Sequence, residues 1–491
     1  MNSHRRQAIE RGTGGAPLGA AHRKPTPAEA ALLRDLRSGL AAEQVVTAPE
    51  ELVCYGFDAA ADAVPGLPVA AVFPRSTAEV SHVVQAAGRH RRPIYTRGSG
   101  TNLSGGSTPV NGGLVVCLLD MNEIVEIDTV NLTATVQPGV IIKDLDDAAG
   151  KVGLMYPPDP GSVAVATMGG SVAECSGGLR GLKYGVTKDY VMGLEVVLAD
   201  GRVLRSGGKT VKNVTGYDLV KLMVGSEGTL GIITEITVRL RPRPQATRSM
   251  LVYFDDQKVA ADAAVAIVGA GVIPATLEFM DHTTIVAVER FTHVGLREDA
   301  EAALLIEVDG IPEAVEREAA TVLEVLRAHG GEVKEAAMGA ERDSLWAARR
   351  AALPAVARLR PTIIVEDATV PRSQITAMLD LVAELARKHD LAISVVGHAG
   401  DGNLHPSILC DKKDPVEMAR VNAAIDELFA ATLRLGGTLS GEHGIGTSKQ
   451  RYLPWEIGDV GVEVSERIKR ALDPNDLLNP GKVVTLAGSG G

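Results

Sequence analysis

The feature that most constrains this chain is a glycine-rich loop, TRGSGTNLSGG (96–106), directly after the short strand-like run Pro93-Ile94-Tyr95. Glycines permit positive φ and let the backbone approach a ligand closely, while successive N–H groups and Ser/Thr hydroxyls donate hydrogen bonds to a diphosphate. The loop lacks the lysine of a Walker motif and the G-x-G-x-x-G of a dinucleotide-binding helix, so neither ATP nor NAD is indicated. A glycine-rich turn without a ligand stays open as the alternative for this loop alone.

The pattern of short apolar runs predicts the domain organisation. A chain of 491 residues exceeds one ordinary core, which predicts two or three domains. Strand-like runs at 114–119, 134–140, 192–201 and 231–240, with a helix at 76–89 and a hairpin turn at 200–201, predict an α+β first domain. The proline-rich RLRPRPQ (239–245) predicts a boundary. Strand-like runs at 251–254 and 303–308 then alternate with helical stretches at 257–270, 313–329 and 372–388, which predicts an α/β second domain.

The ends of the chain complete this division. Residues 1–46 mix charge, Gly, Pro and Ala around one predicted helix (28–40), and we expect a flexible N-terminal arm. The expected units are therefore the arm (1–46), a first domain (47–244), a second domain (245–436) and a C-terminal segment (437–491).

Composition excludes several classes of function. The formal net charge of -11 provides no positive field for nucleic acid. No apolar run is long enough for a transmembrane segment and the N-terminus lacks the apolar stretch of a signal peptide, so we expect a cytoplasmic protein. The four cysteines are widely scattered, which predicts buried thiols and excludes an iron–sulfur pattern within this chain.

Further glycine loops accompany the first one. They are PPDPGS (157–162), TMGGS (167–171), SGG (176–178) and GSEGTLG (225–231), and together they predict a cleft lined by backbone. The order of these segments resembles the FAD domain of the vanillyl-alcohol oxidase family, also called the PCMH-type fold. The resemblance is closer still to the glycolate oxidase FAD subunit and its D-lactate and D-2-hydroxyglutarate dehydrogenase relatives, and it covers about residues 50–482.

The resemblance implies a set of FAD-binding residues. Those at the pyrophosphate would be Arg97, Gly98, Ser99, Gly100, Thr101, Asn102, Leu103 and Ser104. Those along the ribityl chain and the flavin would be Pro158, Asp159, Gly169, Gly170, Ser171, Gly177, Gly178, Gly185, Glu227, Gly228, Ile232 and Asn479. The segment containing Asn479 resembles the family's C-terminal return to the flavin domain. Because no histidine lies between His90 and His282, we expect non-covalent FAD.

Two glycine-rich loops in the second half carry three of the chain's 11 histidines. His398 and His405 lie seven positions apart across a Gly-Asp-Gly turn, and Glu442-His443 lies in a second loop. Two imidazoles and one carboxylate suit Zn²⁺, Mn²⁺ or Fe²⁺ with open positions for a substrate oxygen. The alternative for each histidine alone is a hydrogen bond to the backbone of its turn.

The resemblance assigns roles to these residues. Positions matching His398, His405 and Glu442 bind a divalent metal in the dehydrogenase relatives, and the position matching His443 is the base. Arg349 follows Trp346 as in the family's W-x-x-R helix, where the arginine pairs with the substrate carboxylate; two solvated arginines on a helix are the alternative. Glu366-Asp367 also resembles a family pair, which we interpret as structural.

Two departures bear on the substrate. The hydroxyglutarate branch has Lys at the position of Val365 and Asn at that of Ser407, and their absence here argues for a short acid, glycolate or D-lactate. The expected reaction is hydride transfer from the α-carbon to flavin N5, with His443 deprotonating a metal-bound hydroxyl.

Two other classes stay open: a non-catalytic FAD subunit of an oxidase, and a flavin-dependent transferase of the alkylglycerone-phosphate synthase type. The resemblance also implies an iron–sulfur or other electron-acceptor subunit as a partner, which would hold the chain peripherally at the inner face of a membrane. The sequence separates neither the two substrates nor the acceptors, the metals or the oligomeric states.

Overall fold

A computed structural model of the chain describes residues 25–109, 112–336 and 339–486. Its strands are β1 (Val45–Val46), β2 (Ala70–Val72), β3 (Ile94–Arg97), β4 (Leu114–Cys117), β5 (Ile124–Asp128), β6 (Thr133–Val136), β7 (Leu154–Met155), β8 (Val191–Val197), β9 (Val203–Gly207), β10 (Ile232–Arg239), β11 (Arg241–Pro242), β12 (Ala246–Phe254), β13 (Thr276–Asp281), β14 (Ala302–Gly310), β15 (Glu332–Ala336), β16 (Thr362–Val365), β17 (Ala368–Thr369), β18 (Ala392–His398) and β19 (Asn403–Cys410).

Its helices are α1 (Pro27–Arg37), α2 (Pro49–Leu52), α3 (Thr77–Arg89), α4 (Ile142–Gly150), α5 (Met168–Glu174), α6 (Gly181–Tyr184), α7 (Thr187–Tyr190), α8 (Leu219–Met223), α9 (Gln257–Gly269), α10 (His282–Thr292), α11 (Pro312–Ala328), α12 (Ala340–Arg350), α13 (Ala352–Val356), α14 (Ile375–His389), α15 (Pro415–Arg434) and α16 (Leu453–Leu472). Within the described ranges, no helix is long and apolar enough to cross a membrane.

The first half of the chain forms two larger sheets. One has the order β1-β2-β4-β3 with β2, β4 and β3 parallel, and the other is an antiparallel sheet of order β5-β6-β10-β8-β9. Helix α3 lies within the predicted helix 76–89 and begins after Ser76, whose side chain accepts a hydrogen bond from the Glu79 N–H. The predicted turn at 200–201 joins β8 to β9, and Gly201 has the positive φ of 85° that such a turn favours.

The N-terminal region differs from the predicted flexible arm. Residues 1–24 lie outside the described part of the chain, but α1 packs against α3 and buries Leu32 and Leu36 completely in the same core. Strand β1 adds to the first sheet by pairing with β2. Residues 27–46 are therefore part of the first domain, because burial of their leucine face outweighs the entropy cost of ordering them.

The cysteines also depart in part from the prediction of buried thiols. Cys117 and Cys410 are buried, whereas Cys54 is exposed and Cys175 is half-buried. The spacing of the four cysteines along the chain does not predict their exposure, because each cysteine lies in a different element or loop.

The second half of the chain forms an eight-stranded sheet of order β15-β12-β14-β13-β18-β19-β16, with β17 also paired to β19. All its pairings are antiparallel. Helices α9, α11 and α14 pack on one face and α10, α12 and α13 on the other, so both faces are covered by apolar side chains. The predicted boundary at 239–245 coincides with the change of sheet, since β10 belongs to the first half and β12 to the second.

The C-terminal segment returns to the first domain, as predicted. Leu478 forms a parallel bridge with Ile94, and the Asn479 N–H donates to the Ile94 carbonyl at 2.6 Å. Leu477 and Leu478 are buried in the core beneath β3. This return places Asn479 beside the strand that leads into the glycine-rich loop 96–106.

Candidate functional site

A cavity of about 590 Å³ lies between the glycine loops of the first domain and the large sheet. Of the residues predicted to bind FAD, those on its wall are Arg97, Gly98, Ser99, Gly100, Thr101, Asn102, Leu103, Gly169, Gly170, Ser171, Glu227, Gly228 and Asn479. The cavity is also lined by Arg349, His398, His405, Glu442 and His443. The two predicted groups of functional residues thus share one cavity.

Seven residues predicted to bind FAD are not on that wall: Ser104, Pro158, Asp159, Gly177, Gly178, Gly185 and Ile232. Two of them, Ser104 and Ile232, contact residues behind the wall. The Ser104 carbonyl accepts hydrogen bonds from the Thr447 and Ser448 N–H groups, and Ile232 is fully buried in the core. Asp159 instead accepts two hydrogen bonds from Arg350.

The glycine-loop end of the cavity presents polar atoms that lack partners. Thr96 Oγ1 and Asn479 Oδ1 are buried without a hydrogen bond within the described part of the chain. Gly100 adopts a φ of 74° at the turn of the loop. Buried polar atoms normally have partners, so this end of the cavity suits a polar ligand such as a dinucleotide.

Glu227 connects the flavin-side loop to the loop that carries Glu442. Its two carboxylate oxygens accept hydrogen bonds from the Ile445 and Gly446 N–H groups, each at 2.7 Å. Asn479 donates to the Glu227 carbonyl at 2.7 Å and to the Gly106 carbonyl at 2.9 Å. These bonds fix the position of loop 440–446 relative to the glycine loops.

His398, His405 and Glu442 converge in the second half of the cavity. His398 ends β18 and His405 lies on β19, and the turn between them requires Gly402, which has a φ of 84°. The Oε1 atom of Glu442 lies 3.4 Å from His398 Nε2 and 3.2 Å from His405 Nε2. Ligand atoms bound to one ion at about 2.1 Å and at angles of 90–110° are separated by about 3.0–3.4 Å, so this donor set fits a single divalent metal.

Glu278 is a member of the site that the sequence reasoning missed. It lies on β13 opposite His398 in the sheet, is fully buried, and its Oε1 accepts a hydrogen bond from His398 Nδ1 at 2.7 Å. This contact directs His398 Nε2 toward Glu442. The one available signal was an isolated acid in the apolar run Leu277-Glu278-Phe279.

The charges of this cluster reinforce one another. Burial lowers the pKa of His398, but the carboxylates of Glu278 and Glu442 outweigh burial and raise it well above its ordinary value. Burial raises the pKa of Glu442, but hydrogen bonds to His398 and His405 outweigh burial and hold it well below its ordinary value. In the absence of a metal, the cluster therefore holds a cationic His398 between two carboxylates.

Asp367, for which the sequence predicts a structural role, holds the loop of Glu442 in place. Its Oδ2 accepts hydrogen bonds at 2.8 Å from the N–H groups of both Glu442 and His443. Burial raises the pKa of Asp367, but the positive charges that His443 and Lys449 carry in acid, where this carboxylate titrates, outweigh burial and lower it. Asp367 also lies close enough to His405 and His443 to form a second group of three potential metal ligands.

His443 lies beside the metal-ligand candidates, and its Nδ1 is buried without a hydrogen bond to any residue that the structure describes. Its ring stacks on that of His405 with a centroid separation of 4.9 Å, and its Nε2 is 3.9 Å from Glu442 Oε1. Burial, opposed by the charge of Asp367, lowers the pKa of His443 to about 4. The imidazole is therefore neutral near neutral pH and has a free electron pair for a proton.

Arg349 and Arg350 end helix α12 and both reach the cavity. Arg349 is buried and pairs with Glu278 through Nη2 at 2.5 Å, while its Nε is buried without a partner within the described residues. Val365 and Ser407, the positions of the two departures from the hydroxyglutarate branch, face each other on β16 and β19 and line the same cavity.

Comparison with known proteins identifies the family. Residues 68–207 match the FAD binding domain model and residues 243–483 match the model described as FAD linked oxidases, C-terminal domain. The glycolate oxidase subunit GlcD of Bacillus subtilis (strain 168) is 48% identical over 87% of this chain and 91% of its own length. A D-lactate dehydrogenase of Anaerostipes hadrus is 35% identical over 83% of this chain and 88% of its own length.

The fold recurs in solved structures. p-Cresol methylhydroxylase with substrate bound has a TM-score of 0.77 at 20% identity, covering 94% of this chain and 98% of that structure. The predicted PCMH-type fold and FAD-binding domain are confirmed by these matches. This chain belongs to the FAD-linked oxidase family and is an FAD-dependent oxidoreductase.

Proposed function

We propose that this enzyme oxidises a small 2-hydroxy acid to the corresponding 2-oxo acid. The observation that carries the proposal is that Arg349, His443 and the group His398, His405 and Glu442 line the cavity into which the FAD-binding loops face. An anion anchor and a base suit this oxidation, and a metal held by the ligand set would assist it. The names of the relatives, glycolate oxidase subunit and D-lactate dehydrogenase, support this substrate class.

FAD and the proposed divalent metal would have different chemical roles. When bound, FAD supplies the two-electron acceptor that takes the hydride of the α-carbon. A divalent metal at His398, His405 and Glu442 would supply Lewis acidity at the hydroxyl oxygen. The remaining requirements, orientation and proton transfer, fall to side chains of the chain itself.

Arg349 orients the substrate. Its buried Nε has no partner among the residues that the structure describes, and its pairing with Glu278 holds the guanidinium in place on the cavity wall. A guanidinium so fixed binds a carboxylate in a defined direction and turns the α-hydrogen toward the flavin. Glu278 also contacts His398, so one carboxylate aligns the anion anchor with the proposed metal site.

His443 accepts the hydroxyl proton. Its neutral ring lies beside Glu442 and is stacked on that of His405, and its backbone N–H donates a hydrogen bond to Asp367 Oδ2. A proton leaving the substrate hydroxyl passes to the imidazole while the α-hydrogen leaves as hydride, so the 2-oxo acid forms without net charge left on the oxygen.

The cavity wall favours a short substrate, glycolate or D-lactate. Val365, Val396 and Leu353 form apolar parts of the wall, and Ser407 is the neighbour of Val365 across the sheet. None of these side chains carries the positive charge that a distal carboxylate would need.

We further propose an electron-accepting partner. The cysteines Cys54, Cys117, Cys175 and Cys410 are too scattered to ligate an iron–sulfur cluster, so reoxidation of the flavin by such a cluster requires another subunit. The description of the 48% identical relative as a subunit supports this. Association with the inner face of a membrane would then come from that partner.

Anaerobic reduction of the FAD-loaded protein by a panel of 2-hydroxy acids tests the proposal. We expect bleaching of the flavin by glycolate or D-lactate, with release of the 2-oxo acid in equal amount. A flavin that no member of the panel reduces would instead indicate the transferase or the non-catalytic subunit.

A further inference from the structure

Arg349 and Arg350 could each bind the carboxylate of the substrate. Both end helix α12 and both line the cavity, so two cations compete for one substrate carboxylate. Their side chains leave the helix in different directions because successive residues are turned by about 100°. A carboxylate bound to Arg350 would therefore point the α-hydrogen elsewhere than one bound to Arg349.

The guanidinium groups of Arg349 and Arg350 differ in how many of their donors have hydrogen-bond partners. Arg350 donates from Nη1 to Asp159 Oδ1 at 3.0 Å and from Nη2 to Asp159 Oδ2 at 2.9 Å, a bidentate pair. Arg349 donates from a single nitrogen to Glu278, and its Nε is buried without a partner within the described residues. Only Arg349 thus retains an unmet buried donor for a ligand.

The surroundings of Asp159 fix the position of its carboxylate. It lies in the rigid sequence Pro158-Asp159-Pro160, is 7% exposed, and its carbonyl accepts a hydrogen bond from the Leu179 N–H at 3.1 Å. Arg180 Nε lies 3.5 Å from its Oδ2. Asp159 is absent from the cavity wall, which leaves the carboxylate free for Arg350 rather than for a cofactor.

We infer that Asp159 is a positioning residue that withholds Arg350 from the substrate, so that the carboxylate binds to Arg349 alone. The inference rests on the proposed function. It differs from the FAD-binding role that the resemblance implied for Asp159. Arg350 lies on α12 of the second domain and Asp159 lies in loop 157–161 of the first. Arg350 is therefore kept from the substrate only when α12 packs against this loop.

The test compares Asp159→Asn with the double variant Asp159→Asn/Arg350→Gln, each as FAD-loaded protein. Loss of the aspartate charge releases Arg350 into the cavity, so we expect the rate of flavin reduction at saturating substrate to fall about 10-fold while KM does not rise. Removing the competing cation in the double variant should restore most of the rate. The Arg350→Gln single variant provides the reference for that recovery.

Asp309→Asn is the matched control. Asp309 also joins the domains, accepting hydrogen bonds from Lys183 Nζ at 2.6 Å and Tyr184 Oη at 2.7 Å, but it contacts neither arginine. We expect this variant to unfold at a lower temperature and to keep a flavin reduction rate within about two-fold of wild type.

Several outcomes would overturn the inference. They are an unchanged rate or a raised KM in Asp159→Asn, a double variant as slow as Asp159→Asn, and an equal loss of rate in Asp309→Asn. Each leaves the proposed function intact, because wild-type turnover establishes it separately. A wild-type flavin that no 2-hydroxy acid reduces would overturn both.

Discussion

The Nδ1 atom of His398 lies 2.7 Å from Oε1 of Glu278, so the buried carboxylate directs the opposite nitrogen of the ring toward Glu442. The same carboxylate holds Arg349 through its other oxygen. The proposed metal site and the proposed substrate anchor therefore share one support, and a disturbance of Glu278 should reach both.

The first prediction concerns the metal. His398→Ala removes one of three proposed ligands and should lower the bound divalent metal, measured by elemental analysis, from about one to near zero per chain. The FAD content should stay unchanged because His398 ends β18 of the large sheet and does not belong to the glycine loops that are predicted to bind FAD. Chelation of the wild type should likewise abolish oxidation with FAD retained, and full activity in metal-free protein would contradict the metal's role.

The second prediction concerns His443. A positioned base contributes about 10²–10⁴-fold, so His443→Asn should lower kcat by roughly that factor with FAD and metal both retained. Loss of metal in this variant would instead indicate that His443 is a metal ligand. Asp367, His405 and His443 lie close enough together for such a site. A metal-replete variant that reduces its flavin at the wild-type rate would exclude the base.

The third prediction concerns Arg349. Arg349→Lys keeps the charge but loses the planar pair of donors, so KM for the 2-hydroxy acid should rise about 10-fold or more, with a smaller fall in kcat. Steady-state kinetics and the dissociation constant of a carboxylate inhibitor, read from the flavin spectrum, check this together. An unchanged KM would assign the carboxylate to another group.

The fourth prediction is that FAD is released intact by acid or heat. Within the described residues, the histidines on the cavity wall are His398, His405 and His443, all in the proposed metal site rather than at the glycine loop. Chromatography of the supernatant should therefore recover the flavin as FAD, whereas flavin retained in the precipitate would establish covalent attachment.

The fifth prediction concerns stability and pH. Burial raises the pKa of Glu366 to about 7 from an ordinary value of 4.5. The folded protein then binds this proton more tightly than the unfolded chain, so the contribution of Glu366 is fully present below about pH 4.5 and is lost as the pH rises to about 7. The loss amounts to roughly 3 kcal/mol at most.

Glu366→Gln removes this titration. We expect the unfolding free energy of the variant to increase relative to wild type between pH 5 and pH 7 and to remain parallel above pH 7, as measured by denaturant unfolding at matched FAD and metal content. A difference that does not change with pH would mean that Glu366 titrates normally in the folded protein.

Features that depend on neighbours in the chain could be predicted from the sequence. The Ser76 cap of α3, the turn at Gly201 and the phosphate-type loop at 96–106 each depend on a few consecutive residues. The convergence of His398, His405 and Glu442 was also predictable, because both loops are glycine-rich and can reverse the chain; that these residues bind a metal stays a prediction. The prediction that residues 27–46 belong to a flexible arm was wrong, since their leucines find a core only in the folded domain.

What the sequence determined by itself was therefore local: which loops are rich in glycine, which loops carry histidines or a carboxylate, and where helix α3 begins. The tertiary structure alone decided which charges meet. Glu278 and His398 are separated by 120 residues and Asp159 and Arg350 by 191, and no pattern within either segment specifies its partner. The physical reason is that such pairs depend on strand register and on the seating of one domain on the other, which arise from the packing of the whole chain.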